Sequence, residues 1–479
     1  MSRTWKLLIT GLVVLGVIVR VWAWWTAPPL DQDEVALLLN LRALDGWALA
    51  SRPLQATELT QAAPPIFLWT VDLFAGRGLP NERLLRLEPM LAGCLLVPAV
   101  GWLTWLACRR MTDVRKLGVP VAMGIVAISP NFVLAARRTK QYSGDALLAC
   151  GFTGLLMVTQ HWSLLRRHLL LGGLAAGLVW RSHTIVLVYA GLAVVDVLAS
   201  GESWKKRLLE PLPGGLLAIA STLLLWLLSA SRQRDEFLRN YWTDGFAAPS
   251  NFAAWPLEVL ETSTELARYL LLPLGLVSLL WIAVAMVRLG KIDRPVLAWL
   301  LAPAIVTIVM ATLRLYPFAA QRINLFFLPM LVALIGCGVP TRREFDAKLT
   351  VWPARISAGL LVVVGVAAVV ELGRDLLEPW PNPTPALRYV ADQPGAELVV
   401  SSDPGMAEHL ELYLPHSDLR VVEPDAVGSG PVHLVVSGDP KTRRRQLEKL
   451  RELLPDHDAG AIVPVAGGLV QSMTPAQDE

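Results

Sequence analysis

The sequence predicts an α-helical polytopic membrane protein with about 11 transmembrane helices and a small α/β domain at its C-terminal end. Three observations predict it. Charged residues make up 17% of the 479-residue chain, against roughly 25% in soluble domains, while 54% are hydrophobic and mean hydropathy is +0.48. Apolar runs near the length needed to cross a bilayer, about 20 residues, recur between residues 7 and 372. From Pro381 onward this texture gives way to short β-rich runs alternating with helical spacing. The same numbers exclude disordered, collagen-like and disulfide-scaffold chains. A net charge of +3, scattered along the chain, excludes a nucleic-acid binder.

The apolar runs fall at 7–24, 88–108, 118–136, 145–162, 169–180, 183–198, 214–231, 269–287, 295–313, 324–339 and 356–372. The first follows Arg3 and Lys6, as a signal peptide would. It lacks a clean small-residue cleavage site, and Trp22, Trp24 and Trp25 read as an interfacial anchor, so an uncleaved span is expected. Alternating sides puts Arg109/Arg110/Arg115/Lys116, Arg166/Arg167, Lys205/Lys206/Arg207, Arg288/Lys291/Arg294 and Arg342/Arg343/Lys348 together with the N-terminus. By the positive-inside rule that side is cytoplasmic. Loops 26–87, 137–144 and 232–268 then face outward, as does the C-terminal segment from Arg374. Cys94, Cys108, Cys150 and Cys337 lie in or beside apolar runs without CxxC or Cys/His spacing, so neither a disulfide nor a zinc site is expected.

The first outward loop carries three acids, Asp31, Asp33 and Glu34, directly before the apolar run 35–44. That run reads as an interfacial helix, and acids at its N-terminus suit the helix dipole. Plain capping therefore competes with a general base or metal ligand at the mouth of the membrane domain. A second juxtamembrane helix is expected from Ala63-Pro64-Pro65-Ile66 to Gly76. The second outward loop, Arg137-Arg138-Thr139-Lys140-Gln141-Tyr142, concentrates cations where the positive-inside rule disfavours them. Snorkelling to headgroups and phosphate binding both account for it. Arg181-Ser182-His183, Tyr241-Trp242 through Phe246, Arg314 and Tyr316-Pro317-Phe318 with Arg322 add polar residues at other outward ends. Acids in one loop and bases in several fit a phosphate-bearing ligand held near an acid/base carboxylate.

This pattern resembles the GT-C superfamily of polytopic glycosyltransferases. Within it, the chain is most similar to the bacterial group related to dolichyl-phosphate-mannose protein mannosyltransferases, which includes the lipid A aminoarabinose transferase and lipopolysaccharide-core galacturonosyltransferases. The resemblance covers residues 5–345. It rests on Asp33-Glu34, Ala63-Pro64-Pro65-Ile66, Glu82 to Leu87, Ser129-Pro130, Arg138 to Ser143, Arg181-Ser182-His183, Tyr241-Trp242 and Tyr316 to Pro329. It implies a GT-C transmembrane domain over 1–373 and inverting sugar transfer, at the extracytoplasmic face of the inner (plasma) membrane. The donor would be a polyprenyl-phosphate sugar and the acceptor a lipid, glycan or protein. Asp33 would be the catalytic base, with Glu34 orienting the acceptor or tuning it, and Asp31 leaves the choice of base open. Arg138, Lys140, Arg181 and Arg322 would neutralise the departing lipid phosphate. Asp31, Tyr142, His183 and Trp242 would contact substrate. Some members use a divalent metal and others none. With no His/Asp cluster evident, metal-independent transfer is expected.

In the tail, 374–479, strands are expected at 397–401, 419–422, 432–437 and 461–465, with helices at 404–414 and 440–454. Its net charge is −8, which leaves +11 on the remainder. His409 beside Glu408 and Glu411 reads as a solvated helix face, and the segment reads as an outward accessory domain. Two other function classes fit the membrane architecture. A lipid or sugar transporter would place ionisable residues mid-membrane on repeated halves, and neither is evident here. A structural partner that had lost activity would not need Asp33, Glu34 and the basic loop together.

Overall fold

Long uncharged apolar runs have no water to satisfy their amides in a bilayer, so they fold as helices bonded within themselves. The computed structural model describes residues 3–27, 30–55, 61–75, 81–233, 255–271, 275–319, 322–339, 365–374, 376, 383–394, 396–401, 406–414, 417–427, 431–437, 443–465 and 468–475. The first helices are α1 (Arg3–Trp25), α2 (Gln32–Ala43), α3 (Gly46–Ser51), α4 (Pro65–Ala75), α5 (Glu82–Leu85), α6 (Leu87–Ala107), α7 (Thr112–Ile128) and α8 (Pro130–Ala136). There follow α9 (Tyr142–Thr159), α10 (Leu164–Leu178), α11 (Ile185–Ala199), α12 (Trp204–Leu209) and α13 (Leu212–Leu225), which runs into a π-helical turn, Trp226–Ala230. The bundle closes with α14 (Trp255–Leu271), α15 (Gly275–Ile292), α16 (Arg294–Thr312), a 3₁₀ turn Arg322–Phe327 and α17 (Leu328–Gly338).

The main core lies between α6, α7, α9, α11, α16 and α17, filled by residues such as Leu103, Met123, Phe152, Trp299 and Phe326. Some helices meet backbone to backbone. A Cβ added at Gly118 of α7 would stand 2.2 Å from the Gly336 carbonyl oxygen of α17, and one at Gly214 of α13 would stand 1.9 Å from the His168 carbonyl of α10. Only glycine permits either approach, the small-residue packing expected where lipid supplies no hydrophobic drive. A second core gathers α2, α3, α4 and α5 around Leu37, Leu38, Leu49, Phe67, Leu68 and Leu85. Loop 26–87 is therefore a folded helical layer.

The tail adds α18 (Thr384–Ala391), α19 (Met406–Tyr413) and α20 (Arg443–Glu452) to a five-stranded sheet of order β2-β1-β3-β5-β4. Its strands are β1 (Leu398–Val400), β2 (Arg420–Val422), β3 (Val432–Val436), β4 (His457–Val465) and β5 (Gly468–Pro475). The first three pair in parallel, and β5 joins β3 to β4 antiparallel. Every residue of β3 is buried, as a central strand covered on both faces requires. Leu387, Val390 and Leu410 pack with Val399 and Val435, while Leu447 and Leu450 pack with Val400 and Leu434. The tail also touches the helical layer: Leu412 joins the second core, and the Tyr413 hydroxyl donates to Glu82 Oε1 at 2.6 Å and accepts from the Leu30 amide at 3.4 Å.

Several sequence expectations need correction, and the count of about 11 spans is not confirmed. Against about 11 spans, five helices among the described residues are long and apolar enough to cross a membrane. A sixth is added if α7 and α8 count as one, while α11 and the Arg322–Gly338 segment are shorter. The expected span 118–136 is bent by 55° at the junction of α7 and α8, because Pro130 interrupts the helical ladder. Loop 232–268 contains most of α14, whose Glu258, Glu261 and Glu265 put charge on one face and mask the helix in a hydropathy reading. Strand β5 and helix α18 were not expected. His409 is only 5% exposed, stacked on the Tyr413 ring at 5.9 Å, and burial pulls its imidazole down to about 4, so the solvated-face reading fails. Trp242, with the rest of 241–246, lies outside the described residues, as does most of the expected span 356–372.

Candidate active site

The acids of loop 26–87 are sorted by the helix they precede. Asp31 is the N-cap of α2: its Oδ1 accepts the Glu34 amide at 2.9 Å, and Glu34 Oε2 accepts the Asp31 amide at 3.0 Å. This reciprocal capping box satisfies two amides that the helix cannot. Glu34 is 1% exposed and fully engaged, since Arg86 Nε donates to Oε1 at 2.9 Å and the Thr139 amide donates to the same oxygen at 2.6 Å. Burial alone would raise this carboxyl, but Arg86 and the two amides outweigh it and hold it at about 2.

Asp33 occupies the first turn between them and differs from both. Its side chain is 31% exposed and accepts a hydrogen bond from the Arg322 guanidinium. Burial pushes its carboxyl up, yet Lys140 and Arg322 hold it below the ordinary carboxylate range, so it is ionised near neutrality. Asp31 is pushed up by burial and then by the Glu34 charge, and Arg138 reaches it at 3.6 Å. Gln61 links the two loops, donating to the Asp33 carbonyl at 2.6 Å and accepting from Lys140 Nζ at 3.3 Å. Burial pulls the Lys140 ammonium down, against the raising effect of Asp33 and Asp31.

Each cation arrives on its own support. Arg138 and Lys140 stand in the turn between α8 and α9. Arg322 opens the 3₁₀ turn, steadied by Tyr316, whose hydroxyl donates to the Ile323 carbonyl at 2.9 Å, and by Asn324, which donates to Ala319 at 2.8 Å. Its guanidinium stands 5.7 Å from the Tyr142 ring centroid. Among Asp31, Asp33, Glu34, Arg86, Arg138, Lys140 and Arg322, cations outnumber carboxylates by one. The cluster is therefore suited to an anion beside one partly open carboxylate.

No protein-family model matches the chain, and no curated protein matches it in sequence. Solved structures match over nearly its whole length. ArnT from Cupriavidus metallidurans in the apo state superposes with TM-score 0.56 at 16% identity, covering 97% of this chain and 98% of that one. The same protein bound to undecaprenyl phosphate gives 0.56 at 15% identity, with 98% of each chain covered. An Archaeoglobus fulgidus oligosaccharyltransferase, tethered to an acceptor peptide containing the NVT sequon, gives 0.51 at 11% identity over 98% of this chain and 74% of that one. These structures share this chain's fold.

Within this fold many of the sequence-derived residues meet. Asp31, Asp33, Glu34, Arg138, Lys140, Tyr142 and Arg322 come together. Arg181, beside Asp145, is paired with Glu88 and stands 5.4 Å from the Phe67 ring centroid. His183 is half-buried, and its Nε2 has no hydrogen-bond partner among the described residues. Arg314 turns away: it is exposed at φ +57°, closing the end of α16. Arg86, Gln61, Glu88 and Asp145, which is buried beside Arg181, were missed. Arg86 and Glu88 carried a signal, as charges at the very head of a 21-residue apolar helix, whereas Gln61 carried none. Among the described residues no three His, Cys, Asp or Glu side chains are grouped to hold a metal. Asp31 Oδ1 and both Glu34 oxygens are engaged by amides or by Arg86.

Proposed function

We propose that the protein is an inverting membrane glycosyltransferase. It takes a sugar from a polyprenyl-phosphate donor and passes it to a hydroxyl of a lipid, glycan or protein acceptor at the extracytoplasmic face of the inner membrane. The observation that carries this reading is Asp33, a partly open, ionised carboxylate beside Lys140 and Arg322. Asp33 takes the proton of the acceptor hydroxyl as its oxygen attacks the anomeric carbon. The bond from that carbon to the phosphate oxygen breaks, and the lipid phosphate leaves with its electron pair. Arg322, Lys140 and Arg138 meet the charge that develops, without a metal. Arg322 serves both partners, leaving Asp33 for the phosphate when the donor arrives. Glu34 and Asp31 hold the loop in shape. The undecaprenyl phosphate bound by the ArnT structure supports this donor class. The basic short loops between the apolar runs support the sidedness. Segment 374–479 forms an accessory domain on the site's side, as its contact with loop 26–87 suggests.

The test is transfer in proteoliposomes, with labelled undecaprenyl-phosphate sugars offered together with membrane extract. Label should leave the lipid with wild type and with Asp31→Asn, at a reduced rate for the latter, but not with Asp33→Asn. Intact donors in all three, with lipid crossing the bilayer, would replace this reading with transport.

A further inference from the structure

Arg20 sits near the C-terminal end of α1, 1% exposed, in a helix otherwise apolar enough to cross a membrane. A charge so placed is costly unless it is matched. Its described partners are all backbone carbonyls: Nη1 donates to Gly16 and Ala127 at 3.2 Å each, and Nη2 donates to Val126 at 2.8 Å. Ala127 and Val126 belong to the last turn of α7, where carbonyls lose their intrahelical donors. Val126 would ordinarily accept from residue 130, but Pro130 has no N–H. The guanidinium supplies the missing donor and places positive charge at the negative end of the α7 dipole.

The break so filled aims a lever. Helix α8, seven residues long, leads straight into the 137–141 turn that carries Arg138, the Thr139 amide bonded to Glu34, and Lys140. At 1.5 Å per residue, a change of about 10° at the break moves that turn by roughly 2 Å. A 2.6 Å bond from Thr139 to Glu34 does not survive such a shift. Gly93 on α6 leaves the room Arg20 needs, since a Cβ there would stand 3.1 Å from Arg20 Nε.

We propose that Arg20 is a positioning residue: by bonding the carbonyls freed at the Pro130 break, it fixes the angle between α7 and α8. That angle seats the 137–141 turn against Glu34 and Asp33. Its effect on turnover rests on the glycosyltransferase reading, but its effect on the turn does not. The experiment compares wild type, Arg20→Met and Arg20→Gln as full-length protein in nanodiscs, by amide hydrogen exchange with mass spectrometry. Amides 137–141 should exchange roughly tenfold faster in Arg20→Met, with α6 and α9 as protected as in wild type. Arg20→Gln, which keeps one donor arm, should fall between them and decides the matter if the methionine variant does not fold. In the same samples the KM for undecaprenyl-phosphate sugar should rise several-fold more than kcat falls. Unchanged exchange at 137–141 in a folded variant overturns the proposal. So does faster exchange spread evenly over α1, α6 and α7, which would mark a residue of stability alone. If wild type itself transfers no sugar, the functional reading fails while the exchange data still judge Arg20.

Discussion

Replacing Arg86 by Met should unfold the loop that presents Asp33, and the cost can be reached by two routes. The Glu34 carboxyl is held at about 2 against its ordinary 4.5, and each tenfold change in proton affinity is worth about 1.4 kcal/mol, so the folded state gains roughly 3 kcal/mol at neutral pH. Independently, removing one partner of a buried pair costs about 3–5 kcal/mol, because the other charge is left buried and unmatched. Because the folded value is depressed, the gain is complete above pH 4.5 and disappears as pH falls toward 2. The assay is denaturant unfolding in detergent micelles, followed by tryptophan fluorescence, for wild type, Arg86→Met, Glu34→Leu and the double variant. Arg86→Met should lose about 3–5 kcal/mol at pH 7, and the double variant should recover most of it, since two apolar side chains need no partner. A loss below about 1 kcal/mol, or a double variant no better than Arg86→Met, would refute the reasoning.

Other perturbations test other parts of the molecule. Lys140→Met removes a cation that holds Asp33 down, so the acidic limb of the kcat/KM profile should move to higher pH, with the limb unmoved if Lys140 serves only the phosphate. Gly214→Ala would drive a methyl into the His168 carbonyl and should prevent α10 and α13 from closing, visible as lost folded yield. Gly215→Ala, with nothing within 4 Å, should be neutral or raise stability by up to about 1 kcal/mol. Tyr413→Phe deletes the hydroxyl shared by Glu82 and the Leu30 amide and should cost about 1–2 kcal/mol in the same unfolding assay, with the tail's sheet intact by circular dichroism.

How much of this was legible depends on whether a residue's partner is near in sequence. Asp31 and Glu34 are three apart before an apolar run, and the capping that competed with catalysis for them is what the structure shows. Asp33 stands apart from them only because Arg322, nearly three hundred residues away, lies opposite it. The Glu34–Arg86 pair was hidden for the same reason, as both residues look like ordinary helix-end charges. Central strands such as β3 announced themselves by continuous Val and Leu, whereas β5, with Gln471 and Ser472 in its middle, did not. The eleven spans were counted from hydropathy alone, which registers neither the Pro130 break nor the shortness of α11. The pairing of Arg181 with Glu88 was hidden because the two residues come from different parts of the chain.

The contact of Tyr413 with Leu30 joins residues 383 positions apart. A ribosome adding about 5–20 residues per second needs roughly 20–80 s to travel between them. During that interval the acid-bearing loop is already translated but lacks the Leu412 and Tyr413 side chains that complete its packing. The newborn chain therefore waits for residues 412 and 413 before the loop can set. A nascent chain stalled before residue 412 should display α2 as a protease-sensitive segment, and release of the full chain should close it.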